Sequence, residues 1–157
     1  MKKIPIVYFD TSVIGGCYDE EFSEISNQLF YEFKKGIKIA VISDLTLLEL
    51  KKAPVKVRNK LEEIPDNYKI NILFTSEAEQ LARRYIAEKV ITINSLADAR
   101  HIALATINNI DILASWNFRH IINITRIHGY NAVNLKEGYH ILEIRAPRDI
   151  LEVNDEE

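Results

Sequence analysis

Ile4-Pro5-Ile6-Val7-Tyr8-Phe9 runs without a polar residue and stops abruptly at Asp10-Thr11-Ser12. A short, continuous apolar run closed by turn-forming residues reads as a strand covered on both faces, the kind found in parallel sheets. Outward from it the pattern repeats. Further strands are expected at residues 39–42, 70–74 and 111–115, with an edge strand at 139–144. Between them lie longer amphipathic stretches. Residues 22–35 place Ile25, Leu29, Phe30 and Phe33 on one helical face, and Gly36 ends that helix. Ser43 caps a helix through Leu45, Leu48 and Glu49 that stops before Pro54. Residues 55–64 form another helix. Thr75 or Ser76 opens the next, with Ser76 and Glu79 spaced as a capping box. Helices over residues 96–107 and 124–135 complete the set, and residues 10–22 read as a loop carrying Tyr18 and Phe22.

Strands separated by helices imply βαβ crossovers and an α/β fold with a mostly parallel central sheet. The length of 157 residues suits one domain, taken as residues 1–150, with 151–157 as an acidic, disordered tail. Hydrophobic residues make up 47% of the chain, enough for a core without staples. The one cysteine, Cys17, rules out an intramolecular disulfide, and the four histidines show no zinc-ligand spacing with it. The first apolar run is too short for a signal peptide or membrane span, so the expectation is a soluble, cytoplasmic protein with no membrane association. A net charge of −3 requires any basic surface for nucleic acid to be local.

In open sheets of this type, chemistry gathers at the carboxyl ends of the strands. Asp10 follows the first strand, Glu49 lies on the helix after the second, Asp98 at the start of a later helix, and Asn117 just past the fourth strand. Each has an ordinary structural reading. Asp10-Thr11-Ser12 is turn chemistry. Glu49 sits beside Lys51 and Lys52 as a solvent-facing residue would. Ser95 and Asp98 have capping-box spacing. Asp111 falls at the opposite end of its strand and is read as structural. Together, however, carboxylates without His or Cys ligands suit a hard cation, Mg2+ or Mn2+, of the kind that serves phosphoryl chemistry.

These residues also carry a resemblance. Tyr8-Phe9-Asp10-Thr11-Ser12, the stretch around Glu49, Ala97-Asp98-Ala99-Arg100-His101 through Ala105, and Ile112 through Phe118 resemble the PIN domain, and in particular VapC-type toxins of toxin–antitoxin pairs. The likeness spans nearly the whole chain. It implies a three-layer α/β/α sandwich and a metal-dependent endoribonuclease that leaves a 5′-phosphate. A homodimer and a cognate antitoxin are implied as partners. Residue by residue, Asp10, Glu49 and Asp98 match the family's first three acids and would bind the metal. Ser12 and Ser115 match supporting hydroxyls. Asn117 stands where a fourth acid normally falls. It can coordinate through its carbonyl but brings no charge, which favours one metal ion over two. Arg119, Arg100 and Lys52 are the candidates for RNA contact, and Trp116 reads as packing rather than a base-stacking surface. The competing reading is a catalytically weak PIN-like module that binds RNA or protein. A haloacid-dehalogenase-type phosphatase would want Asp where Ser12 stands, and Gly15-Gly16 is no dinucleotide fingerprint.

Overall fold

The structure, a computed structural model, describes residues 3–152. Five strands, β1 (Ile6–Phe9), β2 (Ile39–Ser43), β3 (Lys69–Ile72), β4 (Ile112–Ala114) and β5 (Glu143–Arg145), form one sheet in the order β3-β2-β1-β4-β5. Every pairing is parallel. The opening apolar run is thus the central strand, and it is closed in from both faces. Val7 and Phe9 point to one side, where they meet Val13, Phe30, Phe33, Ala40 and Ile42. Tyr8 points to the other, among Val41, Leu81, Tyr85, Ile102 and Leu113. Period-two alternation along a strand buried on both sides produces two cores, one per face, and hence a three-layer α/β/α sandwich.

Among the described residues, seven α-helices make the outer layers: α1 (Thr11–Gly16), α2 (Ser23–Lys34), α3 (Asp44–Leu50), α4 (Val55–Asn59), α5 (Ser76–Ala87), α6 (Leu96–Ile107) and α7 (Ile124–Lys136). Several ends differ from the sequence reading for identifiable reasons. The loop expected after β1 contains α1, whose two glycines disguise it, since glycine is a poor helix former. The helix expected over 55–64 is α4 followed by a 3-10 turn at Lys60–Glu63, because Pro65 forces Ile64 into an extended conformation. β3 begins one residue earlier than expected and ends at Ile72, where its partner β2 ends; beyond it the amide of Phe74 donates to Asp44 Oδ1. The edge strand shrinks to Glu143–Arg145. Just before it, Asn131 accepts from the Leu142 amide and donates to the Leu142 carbonyl, taking the groups a longer ladder would use. Thr75, not Ser76, caps α5, accepting from the Ala78 amide.

Asp111 is structural, as expected: it accepts from the Ile6 amide and Lys3 at the amino end of the sheet. Of the tail expected at 151–157, residues 153–157 lie outside the described residues. Leu151 packs on the second core, and the Glu152 amide donates to Glu32. Among the described residues no helix is long and apolar enough to cross a membrane.

Candidate active site at the carboxyl rim of the sheet

Asp10 leaves β1 in an extended conformation and occupies the cap position of α1, yet its side chain makes no cap bond. Its carboxylate is held instead by two hydroxyls. Ser12 Oγ donates to Oδ1 at 2.5 Å and Ser115 Oγ donates to Oδ2 at 2.7 Å. Ser12 Oγ also accepts from the Trp116 amide at 3.0 Å, which ties the end of β4 to the end of β1. Burial raises the Asp10 pKa, opposed by the nearby His101 and the two serines.

Asp98 sits in the first turn of α6. Ser95 makes no side-chain cap bond, so the capping-box reading of this pair is not realised. Asp98 Oδ1 instead accepts from Asn117 Nδ2 at 3.3 Å. Its pKa is raised, first by burial and next by the charge of Asp10. The charge of Asp10 therefore reaches Asp98 across the rim. The carbonyl of Asn117 is turned away from them: Oδ1 accepts from the Arg119 and His120 amides and closes its own turn. Those two amides fix which end of the side chain faces Asp98. Asn117 thus supplies a neutral donor where an aspartate would have set another carboxylate against Asp98.

Glu49, on α3, is oriented by two partners. Thr11 Oγ1 donates to Oε1 at 2.9 Å, and His101 Nε2 lies 2.7 Å from the same oxygen. Burial alone would raise its pKa, but the His101 hydrogen bond and charge, with Thr11, hold it below the usual value. His101 itself is buried, and its Nδ1 lies 2.5 Å from the Tyr8 hydroxyl, which in turn meets Ser43 Oγ at 2.8 Å. Neither Thr11 nor His101 was singled out from the sequence. The spacing of Asp98 and His101, one helical turn apart on α6, was the available signal.

Among the candidate RNA contacts, Arg100 is committed elsewhere. Its guanidinium pairs with both oxygens of Glu79 at 2.7 and 2.8 Å. Lys52 and Arg119 are exposed, and among the described residues neither side chain forms an ion pair. Trp116 is packing, as expected: it stacks on Phe22 at 4.3 Å and donates from Nε1 to Ser26.

Among the described residues, no three His, Cys, Asp or Glu side chains are grouped closely enough to hold a metal ion together. The arrangement turns Glu49 onto Thr11 and His101 rather than into a shared cluster with both aspartates. The donor chemistry nonetheless fits Mg2+, which keeps several waters and takes one or two carboxylates. Asp10 and Asp98 are two such carboxylates, each with its pKa raised by burial.

No protein-family model matches the sequence, and no curated protein matches it. Solved structures do match. A VapBC2 complex from Rickettsia felis bound to a fragment of its promoter DNA superposes with a TM-score of 0.55 at 17% identity, over 90% of this chain and 98% of that one. VapC20 of Mycobacterium tuberculosis, a toxin that cleaves the sarcin–ricin loop, gives 0.54 at 13% identity, over 72% and 91%. The fold is that of the VapC-type PIN domain. A DNA-bound VapBC from Salmonella typhimurium gives 0.50 at 14% identity, over 92% and 99%. The VapC-like portion thus takes in nearly the whole chain.

Proposed function

We propose that this protein is a Mg2+- or Mn2+-dependent endoribonuclease, the toxin of a type II toxin–antitoxin pair, acting in the cytoplasm as a homodimer controlled by a cognate antitoxin. The observation that carries the reading is the placement of Asp10 and Asp98 at the carboxyl rim of a VapC-like sheet, Asp10 buried and near enough for its charge to raise the Asp98 pKa. Asp10 and Asp98 would hold the cation, which when bound polarises a phosphate oxygen and activates water. Ser12 and Ser115 fix the two oxygens of Asp10, and Asn117 fixes one oxygen of Asp98. Glu49 is held through one oxygen and accepts the proton of the attacking water on the other. The water oxygen bonds to phosphorus, the bond to the 3′ oxygen breaks, and that oxygen takes a proton from solvent, leaving a 5′-phosphate. Three acids with Asn117 in the fourth place favour a single cation.

The test is incubation of the purified protein with a mixed RNA pool in Mg2+, Mn2+ or EDTA, beside Asp98→Asn. Metal-dependent cuts ending in 5′-phosphates, lost in the variant, are the expected result. Cuts that persist in Asp98→Asn or in EDTA overturn the assignment. A second reading, a PIN-like module that binds RNA or protein with little cleavage, rests on the uncharged Asn117; it predicts RNA retention without cuts in either metal.

A further inference from the structure

We propose that Phe118 is a base-stacking platform that receives an unpaired nucleobase of single-stranded RNA beside the cleavage site; this rests on the nuclease reading above. Phe118 immediately follows Asn117, whose side chain reaches Asp98, so the ring is continuous with the rim. It is 39% exposed although it stands among aromatic rings. Phe22 and Trp116 are stacked at 4.3 Å, and Phe118 leans on both, with centroids 6.3 and 6.1 Å away. Behind them Trp116 is anchored by its bond to Ser26. Trp116 is buried and Phe22 half-buried, and the outer ring is part-exposed with the Arg148 guanidinium lying over it, so a base would take the place of that guanidinium on the ring. A large exposed ring on a rigid base loses little freedom on binding a flat partner.

The surrounding charge selects the partner. The Arg148 guanidinium lies over the Phe118 ring, 5.5 Å from its centroid, and Arg119 is the residue after Phe118 in the chain. Both are exposed, and among the described residues neither forms an ion pair. Two arginines without ion-pair partners thus flank the exposed ring, with the exposed acids Glu21 and Asp149 beside Phe22 and Arg148 in the chain. A ring with adjacent arginines matches a nucleotide, whose base stacks and whose phosphates need cations. A base inside a duplex has no free face to offer, so the site takes single strands.

The experiment reads Trp116 fluorescence, since it is the one tryptophan and touches the platform. The full chain in EDTA is titrated with a short single-stranded RNA, an abasic ribose-phosphate strand of equal length and a duplex RNA. The single strand is expected to change the emission, and Phe118→Ala to weaken its binding by about five-fold or more. Phe118→Tyr, which keeps a ring, is expected to restore affinity to within about two-fold. Arg148→Gln is expected to weaken the abasic strand as much as the normal one, whereas Phe118→Ala leaves the abasic strand unaffected. Equal affinity of Phe118→Ala and the parent for the single strand overturns the platform, as does an equal loss on the abasic strand. Because binding is read without metal, the two readings fail separately: metal-dependent cleavage with no Phe118 effect refutes the platform alone, and Phe118-dependent binding without cleavage refutes the nuclease alone.

Discussion

His101 joins the core to the rim of the sheet: Nε2 lies 2.7 Å from Glu49 Oε1, while Nδ1 lies 2.5 Å from the Tyr8 hydroxyl. Both ring nitrogens are engaged, so the imidazole works by holding Glu49 in one orientation. Replacing it with alanine frees the carboxylate and leaves the Tyr8 hydroxyl short of a partner. We expect His101→Ala to lower kcat by about 10- to 100-fold with little change in KM, as for loss of a residue supporting a catalytic ligand. His101→Gln should recover part of that rate. Single-turnover cleavage measures it, and a parental kcat in the alanine variant would refute the positioning role. The pair also has a pH signature. Burial pulls the His101 pKa down, but the Glu49 hydrogen bond and charge raise it above 6.5 overall. Its contribution to stability is complete below that value and lost as pH rises through the higher folded one. Glu49 is shifted below 4.5, so its contribution is present above 4.5 and lost as pH falls. The interaction is strongest between those two ordinary values, and the difference in unfolding free energy between parent and His101→Gln should peak there.

The aspartates follow the opposite rule from most paired carboxylates. Asp10 and Asp98 both have folded pKa values above 3.8, through burial first. The folded state therefore binds more protons, and the stability these groups contribute is complete below pH 3.8 and lost as pH rises through their folded values. Without metal, ionisation of the pair weakens the fold. Asp98→Asn should thus stabilise the metal-free protein at pH 7, while abolishing cleavage. Saturating Mn2+ should raise the melting temperature of the parent and not of the variant; at a hundred times Kd the gain is about 2.7 kcal/mol. Thermal melts with and without Mn2+ decide this. A variant less stable than its parent in EDTA would contradict the repulsion.

The inner strands were legible because they are continuous apolar runs; the run from Ile4 reads as a buried strand, of which Ile6–Phe9 is realised as β1 at the centre of the sheet while Ile4 stays exposed outside it. Asp10 and Asn117 were legible as rim residues because Asp10 follows β1 directly and Asn117 comes three residues past the end of β4. What escaped was whatever depends on contact across the chain. α1 hides behind Gly15 and Gly16, and only the close approach of Ser26 and Trp116 gives Gly16 its value. His101 reads in sequence as one more polar residue of α6, and only the approach of Glu49, 52 residues away, gives it a task. The orientation of the Asn117 amide and the pairing of Arg100 with Glu79, 21 residues apart, are likewise set by neighbours that periodicity cannot identify.

That pairing separates the candidate RNA contacts from one another. The bidentate bond to Arg100, with help from Arg83, holds Glu79 at a pKa of about 2. Arg100 is therefore a tie between α5 and α6 and is not free for phosphate. Arg119→Gln and Lys52→Gln should each lower the slope of log affinity for single-stranded RNA against log salt by about 0.7, the value for one phosphate contact. Arg100→Gln should leave the slope unchanged and cost up to about 1 kcal/mol of stability, a part-exposed pair being worth no more. Filter binding across a salt series distinguishes them; a reduced slope for Arg100→Gln would put that residue on the RNA.

The last expectation concerns the glycine that lets the rim close. A Cβ on Gly16 would stand 2.6 Å from Ser26 Oγ and 2.9 Å from Trp116 Nε1, the two atoms that hydrogen-bond to each other. Neither side chain has room to retreat, because Ser26 is fully buried and Trp116 is stacked on Phe22. Gly16→Ala should therefore cost about 1–3 kcal/mol through overpacking, outweighing the better helix propensity of alanine. Gly15→Ala meets nothing within 4 Å of the new methyl and should be neutral or stabilising by up to about 1 kcal/mol. The pair is a controlled comparison within one helix. Chemical denaturation measures both, and Trp116 emission reports the local cause: Gly16→Ala should shift it in the folded state and Gly15→Ala should not. Because the Trp116 amide donates to Ser12 and Ser12 donates to Asp10, a displaced Trp116 reaches the carboxylate, so Gly16→Ala should also slow cleavage. Equal stability of the two variants would mean that the contact between α1 and Trp116 is looser than these distances require.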